Sequence, residues 1–339
     1  MKHVTIKDVA KKLNLAISTV SRALNDKYDI RKETRELVLQ TAQEMGYSPN
    51  PIARHLLKQC SNQIGVVIPE FINAFFPEVI IGIQEVVQKE GYQILIMQSY
   101  ENAENELENI KTLESNMVDG LIVSLTKETK DVTYLKKLID NGFPIVIFNR
   151  TNELLKTSTV LFDDYKWAFF ATEHLILQGC KNIYHFMGTK NLTLSLNRKQ
   201  GFLDAHKKYK MEVLPSQIIE CGFMIHDGER EMEKLIQSKD IPDAIFAAND
   251  PSAIGAMKAL KRNGYKIPED VAIVGFTESK VADLIDPPLT SVAQPTNEIG
   301  QTAARLLLQQ IRLKEGVFVP QTIVLNGALN IRSSSLKKI

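Results

Sequence analysis

The sequence predicts a small all-α domain followed by an α/β body of two doubly wound parallel-sheet lobes. In the first sixty residues, apolar positions repeat at helical spacing in three short segments. Beyond residue 62, short apolar runs alternate with helical stretches of ten or more residues, a pattern typical of parallel sheets covered on both faces. These runs form two sets, which predicts two lobes with a ligand cleft between them.

The composition is typical of a soluble globular protein, with 44% apolar and 24% charged residues in a chain of 339. The N-terminus does not resemble a signal peptide, and no apolar run approaches the ~18 residues that cross a membrane. We therefore expect a cytoplasmic protein that does not contact a membrane. Cys60, Cys180 and Cys221 lack metal-ligand spacing, and we predict neither a metal nor a cofactor.

The first segments predict a helix-turn-helix. Thr5-Ile6-Lys7-Asp8 has the form of a capping box, so a first helix is expected to begin after Thr5. Asn14 suits the left-handed residue that ends it. A second helix is predicted over Ile17–Leu24 and a third over Lys32–Met45. Two short helices joined by a tight turn and packed against a third form this motif.

The exposed face of the second helix has the chemistry of a DNA-binding surface. Arg22 can donate two hydrogen bonds to O6 and N7 of guanine, while Ser18 and Ile17 can reach base edges or a thymine methyl group. Residues 1–60 carry 11 Lys or Arg against 6 Asp or Glu, whereas the remainder carries 30 against 34. Only this basic head is therefore expected to contact a polyanion. An ordinary three-helix module with a polar surface is the alternative that these residues leave open.

The run VTIKDVAKKLNLAISTVSRALN, followed by TRELVLQTAQEMGYSPNPIARHL, closely resembles the DNA-binding head of the LacI/GalR family of bacterial regulators. The resemblance places Ile17, Ser18 and Arg22 at bases. It places a second set near phosphates: Thr5, Thr19, Ser21, Asn25, Thr34, Tyr47 and Asn50. The family usually has Gly-Val-Ser before the second helix, and this chain has Asn14-Leu15-Ala16. Ala16 cannot cap a helix, which costs ~1 kcal/mol.

Residues 49–61 are predicted to be a linker. Pro51 suits a first helical turn, but so short a segment cannot hold a helix alone. The resemblance implies a hinge helix that forms on operator DNA and includes Ala53, with Leu56 wedged into the minor groove. Such wedging unstacks bases in exchange for a bent duplex. The alternative is that Leu56 packs on the body.

The body resembles the periplasmic-binding-protein-like core (type I) of the same family. The signatures are IGVVIP, VDGLIVS, AANDPSAIGAMKAL, GYKIPEDVAIVGF and PPLTSVAQP. The resemblance implies three crossings between lobes, near residues 160, 290 and 320. We therefore predict a helix-turn-helix domain over 1–48, a hinge over 49–61, and a ligand-binding and dimerisation core over 62–339. Within the core, lobe 1 takes about 62–160 and 291–320, and lobe 2 about 161–290 and 321–339.

Candidate ligand-binding residues stand at the ends of predicted strands. Asn73-Ala74-Phe75-Phe76 resembles the Asn-x-Phe-Phe loop of ribose-type binding proteins, in which aromatic faces stack on a sugar ring. Further candidates at matching positions are Arg150, Arg198, Phe223, Asn249, Asp250 and Gln294. We expect Arg198 to face Asp250 or Asn249 across the ligand, and to bond hydroxyls or a carboxylate. The family often has Asp where Asn149 and Thr277 stand, so the ligand is left as a sugar or a sugar derivative.

A ligand-responsive repressor of carbohydrate-utilisation genes is therefore predicted, acting as a homodimer on a palindromic operator. A periplasmic sugar carrier is the first alternative, but it would need an export signal and no DNA-binding head. A sugar-processing enzyme with such a head is the second. The sequence contains no catalytic motif, and adjacent Asp163 and Asp164 are expected to point to opposite faces of a strand rather than to act as an acid/base pair. We predict no catalytic residue and no enzyme.

Overall fold

The computed structural model describes residues 4–25, 30–47, 60–313 and 318–337. The chain divides into two compact units, Met1–Ser61 and Asn62–Ile339, which we call the head and the body. The helices described in the head are α1 (Ile6–Leu13), α2 (Ile17–Leu24) and α3 (Lys32–Glu44).

The ends of α1 and α2 follow the predicted capping. The Asp8 carboxylate accepts hydrogen bonds from the backbone N–H of Thr5 (2.8 Å) and from its hydroxyl (2.7 Å). Asn14 ends α1 in the left-handed conformation at φ 52°. Ala16 precedes α2 and provides no side-chain cap. The core of the head is formed by small and β-branched side chains from all three helices: Val9, Ala10, Val20, Ala23 and Val38.

Lobe 1 of the body contains a parallel sheet. Its strands in spatial order are β11 (Thr322–Leu325), β5 (Ser158–Phe162), β4 (Ile145–Phe148), β3 (Gly120–Val123), β1 (Gln63–Ile68) and β2 (Gln93–Gln98). Two helices pack on each face of this sheet. One face is covered by α4 (Phe75–Val87) and α11 (Thr296–Arg312), the other by α5 (Ala103–Ser115) and α6 (Thr133–Asp140). Because both faces are covered, the central strands are apolar at nearly every position.

Lobe 2 repeats this architecture. Its strands in spatial order are β12 (Ala328–Asn330), β10 (Thr290–Ala293), β9 (Ala272–Thr277), β8 (Ala244–Ala247), β6 (Ile183–Met187) and β7 (Ile218–Glu220). All neighbours pair in parallel except β12, which is antiparallel to β10. One face is covered by α7 (Asp164–Leu177) and α8 (Thr193–Lys208), the other by α9 (Ile225–Ser238) and α10 (Asp250–Arg262). The predicted fold class, a helical head with two doubly wound lobes, is confirmed.

The chain crosses between lobes after β5, after β10 and after β11. The third crossing falls later than expected. Residues 322–325 pair in parallel with β5 in lobe 1, so the chain crosses at 326–327 and not near 320. This strand lies at the edge of its sheet and is only half-buried, so its apolar pattern is weak.

Candidate functional site

A cleft between the two lobes encloses about 680 Å³, its open mouth included. It lies at the carboxyl ends of the parallel strands, where an open α/β sheet usually binds ligands. Its walls bring together all nine residues that the sequence predicts for ligand binding: Asn73, Phe75, Phe76, Arg150, Arg198, Phe223, Asn249, Asp250 and Gln294. That they bind a ligand stays a prediction.

Ten further residues line the cleft and were not among the predicted ligand contacts: Glu70, Ala74, Glu78, Asn149, Leu194, Pro251, Thr277, Glu278, Ser279 and Thr296. The feature of the sequence that could have identified them is their position near the ends of predicted strands. Glu70 and Glu78 flank the Asn-x-Phe-Phe loop after β1, and Glu278 follows β9 directly. Applying the strand-end rule to every polar residue after a strand would have included these carboxylates.

Arg198 is buried in the wall of the cleft and is held by Asp164. Its Nε donates to Oδ1 of Asp164 at 2.8 Å, and Nη2 lies 2.7 Å from the same oxygen. Nη1 donates to the carbonyl of Ala248, and the guanidinium carbon lies 3.7 Å from the centre of the Phe276 ring. Burial lowers the pKa of Arg198 and raises that of Asp164, while the mutual attraction of the two charges opposes both shifts. An arginine has five N–H donors, so one on each Nη atom is left for the cleft.

This pairing adds a partner that the sequence did not predict, since Arg198 is held by Asp164. That Arg198 faces Asp250 or Asn249 across a ligand stays a prediction. One expectation is corrected. Asp163 and Asp164 are not strand residues, because β5 ends at Phe162 and the two aspartates open helix α7. Asp163 caps that helix by accepting from the backbone N–H of Lys166 at 3.0 Å, which leaves Asp164 free to turn into the lobe. The two carboxylates therefore have separate structural roles.

Arg150 is the second buried cation of the cleft. Its Nη1 donates to both carboxylate oxygens of Glu101 at 2.9 Å, and the guanidinium carbon lies 5.5 Å from the centre of the Phe76 ring. Its Nε is buried and has no hydrogen-bond partner in the described part of the chain. Both arginines of the cleft are thus neutralised by a carboxylate of the protein.

Asn249 and Asp250 are engaged by the protein itself. The Asn249 side chain accepts from the backbone N–H of Ser252 at 3.0 Å and donates to the carbonyl of Phe223 at 2.8 Å. The Asp250 carboxylate accepts from Ser291 and from both the backbone N–H and the hydroxyl of Ser279. These bonds fix two loops of the cleft, and burial raises the pKa of Asp250 to about 6.

The Asp250 pKa makes stability depend on pH. The carboxyl holds its proton up to about pH 6 in the folded protein but only to about 3.8 in the unfolded chain. Its contribution is therefore fully present below pH 3.8 and is lost as pH rises through 6. Asp250→Asn cannot titrate, so the unfolding free energy of the wild type relative to this variant should fall by about 2 kcal/mol between pH 4 and 7. Urea titrations at several pH values measure this difference, and a difference independent of pH would contradict the assignment.

Aromatic rings form the apolar part of the cleft. The rings of Phe75 and Phe76 meet edge to face with centroids 5.1 Å apart. Phe223 is half-buried against Gly188, where a Cβ would come within 2.2 Å of its ring, so a larger residue after β6 would displace that ring. Asn73 is fixed by Glu70, which accepts from its amide at 2.8 Å and from its backbone N–H at 2.9 Å.

Backbone strain and an unpaired hydrogen-bond donor also occur in the lining of the cleft. Asn149 and Thr277 have positive φ values of 60° and 86°, which a β-branched residue such as threonine rarely adopts. Residues in such strained conformations often cluster at functional sites. The Thr277 hydroxyl donates to the side-chain amide oxygen of Gln294 at 2.9 Å, and the side-chain amide nitrogen of Gln294 is buried without a partner in the described part of the chain. A buried unpaired donor costs about 1–3 kcal/mol, which a ligand oxygen would relieve.

The head presents the predicted base-contacting residues on one face of α2. Ile17, Ser18 and Arg22 are exposed, whereas Val20 and Ala23 on the opposite face are buried. The expected phosphate contacts Thr5 and Asn25 are exposed, and four more are half-buried: Thr19, Ser21, Thr34 and Tyr47. Asn50, Ala53 and Leu56 lie outside the described residues. All of these DNA contacts stay predictions.

In the described ranges, no group of three or more His, Cys, Asp or Glu side chains is placed to hold a metal ion. None of the described helices is long and apolar enough to span a bilayer. The candidate functional sites of the described residues are therefore the interlobe cleft and the exposed face of α2.

Comparison with known proteins gives two family matches. Residues 5–50 match the model for bacterial regulatory proteins of the lacI family, and residues 172–335 match the periplasmic binding protein-like domain. The ribose operon repressor of Halalkalibacterium halodurans is 34% identical over 311 residues, which cover 91% of each chain.

Solved structures agree with these matches. A complex of the transcriptional regulator CelR with cellobiose is 28% identical, with a TM-score of 0.74 over 98% of this chain and 100% of that one. The Lac repressor dimer bound to operator and the anti-inducer ONPF has a TM-score of 0.88 over 99% and 100% of the two chains. Because this chain is only 23% identical to the Lac repressor, that similarity shows the fold alone.

Proposed function

The chain belongs to the lacI family of bacterial regulatory proteins, and from this premise we propose that it is a sugar-responsive repressor of carbohydrate-utilisation genes. One observation carries the proposal. A single chain joins a head that exposes Ile17, Ser18 and Arg22 to a body whose cleft combines aromatic rings with amides and hydroxyls. The relatives are named as repressors and regulators, and we assign no enzymatic role. Its place of action is the cytoplasm, where it binds operator DNA.

The charges of the cleft favour a neutral effector. Arg150 and Arg198 are each paired with a carboxylate, so neither offers an unbalanced positive charge. Three carboxylates also line the cleft: Glu78 and Glu278 are paired with Lys280 and Arg332, and Glu70 accepts from Asn73. A phosphate or carboxylate would meet no unpaired cation among the described lining residues and would be repelled by Glu70, whereas hydroxyls can bond to these groups. Phenylalanine faces suit the C–H face of a sugar ring, so we propose a neutral sugar rather than a sugar phosphate.

A ligand panel tests the effector class. Neutral mono- and disaccharides should raise the melting temperature of the protein, because a ligand at 100 times its Kd adds about 2.7 kcal/mol. The corresponding sugar phosphates should not. The measurement is thermal unfolding followed by the fluorescence of Trp167 in the body. Stabilisation by a sugar phosphate but not by its parent sugar would overturn the proposed charge preference.

An exposed apolar edge supports the proposed homodimer. β2 is an edge strand of lobe 1, and it and its neighbours expose large apolar side chains: Phe71, Ile72, Ile81, Ile96 and Tyr100. An apolar edge of this kind usually marks an interface. A second copy would cover it and provide the second head that a palindromic operator requires.

Ile81→Arg should dissociate the dimer, because the new charge would be buried in the interface without a partner. Sedimentation velocity at micromolar concentration should show a dimer for the wild type and a monomer for this variant. Leu177→Arg is the matched control, since Leu177 is an exposed leucine on α7 of lobe 2. A dimeric Ile81→Arg protein would place the interface elsewhere.

A further inference from the structure

Helix α7 of lobe 2 exposes aromatic and apolar side chains on the side opposite its buried stripe. Tyr165, Phe170 and Leu177 are exposed to 41%, 38% and 61%. Trp167 and Phe169 are half-buried on either side of Phe170, with ring centroids 5.6 and 5.9 Å from its own. Exposed rings that are grouped in this way are typical of protein-binding surfaces.

Lysines accompany these rings at the surface: Lys166 on α7, Lys207 and Lys208 in the last turn of α8, and Lys210 two residues after it. The ammonium nitrogen of Lys166 lies 5.6 Å from the centre of the Trp167 ring. That of Lys208 lies 5.4 Å from the centre of the Phe169 ring. We call the surface of the rings of Trp167, Phe169 and Phe170 and these four lysines the α7–α8 face.

The α7–α8 face is positively charged, although residues 61–339 together carry four more acidic than basic residues. The carboxylates on the same two helices are already engaged. Glu173 accepts from Lys208 at 2.6 Å, and Asp204 accepts from Tyr165 at 3.1 Å. In the described part of the chain, the other three lysines of the face make no ion pair with a carboxylate. Their charges are therefore available to the acidic groups of a partner.

The α7–α8 face also contacts the hinge between the lobes. The indole N–H of Trp167 and the ammonium group of Lys166 donate to the side-chain oxygen of Asn326, at 3.0 and 3.1 Å. Asn326 and Gly327 form the third crossing. A Cβ on Gly327 would come within 2.4 Å of the carbonyl oxygen of Ala293, the last residue of β10, so the second and third crossings meet here. A molecule bound to Trp167 would therefore contact a residue that fixes this hinge.

The chemistry of the face favours an acidic protein segment over a nucleic acid or a second copy of the chain. Lysine ammonium groups occupy one side of the Trp167 and Phe169 rings, whereas bases stack on open ring faces. Glu173 and Asp204 would repel phosphates. Two copies of a positively charged face would repel each other. Carboxylates of a partner protein would instead meet the lysines, while its aromatic or leucine side chains packed among the rings.

We propose that the α7–α8 face is the docking surface for an acidic segment of a partner protein, which contains aromatic or leucine side chains and acts on the regulator through the interlobe hinge. This interaction goes beyond the proposed response to sugar and does not depend on the effector in the cleft. Docking removes Phe170 from water, places carboxylates beside the lysines that lack an ion pair, and holds Trp167 against Asn326.

Selection from a random peptide library tests the docking surface. The full-length protein is the target, and Phe170→Asp protein removes the peptides that bind elsewhere. We expect the selected peptides to carry a net negative charge and at least one aromatic or leucine side chain. A selected peptide without tryptophan should shift the emission of Trp167, the only tryptophan of the chain, and should bind more weakly at high salt. Leu154→Asp protein, which loses an exposed leucine of lobe 1, is the control and should keep the peptide.

Reversing charges on the face tests the acidic character of the partner. Lys207→Glu with Lys210→Glu should weaken binding of the labelled peptide about tenfold or more, because two attractive charges become repulsive. This double variant also serves as a second counter-target in the selection. Lys130→Glu with Lys137→Glu is the matched control, since it reverses two exposed lysines of lobe 1, and it should bind the peptide as the wild type does. The melting temperature of each variant shows that it is folded.

Hydrogen exchange tests the action on the hinge. Exchange in residues 322–330 should slow when the peptide binds, and unchanged exchange in the bound protein would overturn this action. Failure to enrich acidic peptides over Phe170→Asp protein would overturn the docking surface, as would equal binding by the folded Lys207→Glu, Lys210→Glu protein. If single-stranded oligo-dT bound the wild type more tightly than Phe170→Asp protein, the face would be a nucleic-acid site and the proposed partner would be wrong.

Discussion

Replacing Arg198 by alanine is expected to lower the unfolding free energy of the body by about 3–5 kcal/mol. The substitution leaves the Asp164 carboxylate buried in the lobe, where it is almost inaccessible to solvent, without its partner. It also leaves the Ala248 carbonyl without its donor. Urea unfolding followed by Trp167 fluorescence measures the loss in the body.

Two further variants separate the buried charge from other effects. Lys208→Ala removes the ion pair between Lys208 and Glu173, which is about as short as the pair between Arg198 and Asp164. Because Lys208 is half-exposed, the loss of unfolding free energy should stay below about 1 kcal/mol. The double variant Arg198→Met with Asp164→Leu removes both charges and should recover most of the stability. If Arg198→Ala cost no more than Lys208→Ala, the pair would not be the buried structural element described above.

Replacing Arg22 by alanine is expected to weaken operator binding by about 2–6 kcal/mol in the dimer. Each head would lose one bidentate contact to guanine, and such a contact discriminates by about 1–3 kcal/mol. Affinity for random DNA should change much less, because phosphate contacts do not depend on sequence. The measurement is fluorescence anisotropy, with an operator obtained by in vitro selection against the wild-type protein.

The control for Arg22 removes one positive charge from another face of the head. Lys12 is exposed in the last turn of α1, and Lys12→Ala should reduce affinity for operator and random DNA by the same small factor. If Arg22→Ala reduced affinity for operator and random DNA by equal factors, the assignment of Arg22 as a base contact would be wrong.

The sequence predicts the elements whose physics is local. All the signals that determine α1 and its end lie within the ten residues from Thr5 to Asn14: the helical spacing, the Thr5–Asp8 capping box and the left-handed Asn14. The buried central strands are apolar throughout, so apolar runs in the sequence predict the strands of both sheets. Residues after strands gather at one edge of a parallel sheet, which is why the predicted cleft residues meet.

Pairings between distant segments could not be predicted in this way. Arg198 bonds to Asp164 because β5 ends at Phe162, two residues earlier than expected, so that Asp164 is the first residue of helix α7 and not a strand residue. Arg150 meets Glu101 across 49 residues, and nothing local marks either as a partner. β11 joins lobe 1 as a half-exposed edge strand, where a short apolar pattern carries little information.

The response of operator binding to sugar tests the central claim most directly. Anisotropy titrations of labelled operator, with and without a saturating sugar identified by calorimetry, give the operator Kd in both states. We predict that the sugar changes this Kd by five- to 150-fold, a typical coupling of about 1–3 kcal/mol, and that operator changes the sugar Kd by the same factor. Equal sugar affinity of the free and operator-bound protein would contradict the claim that this chain is a sugar-responsive regulator.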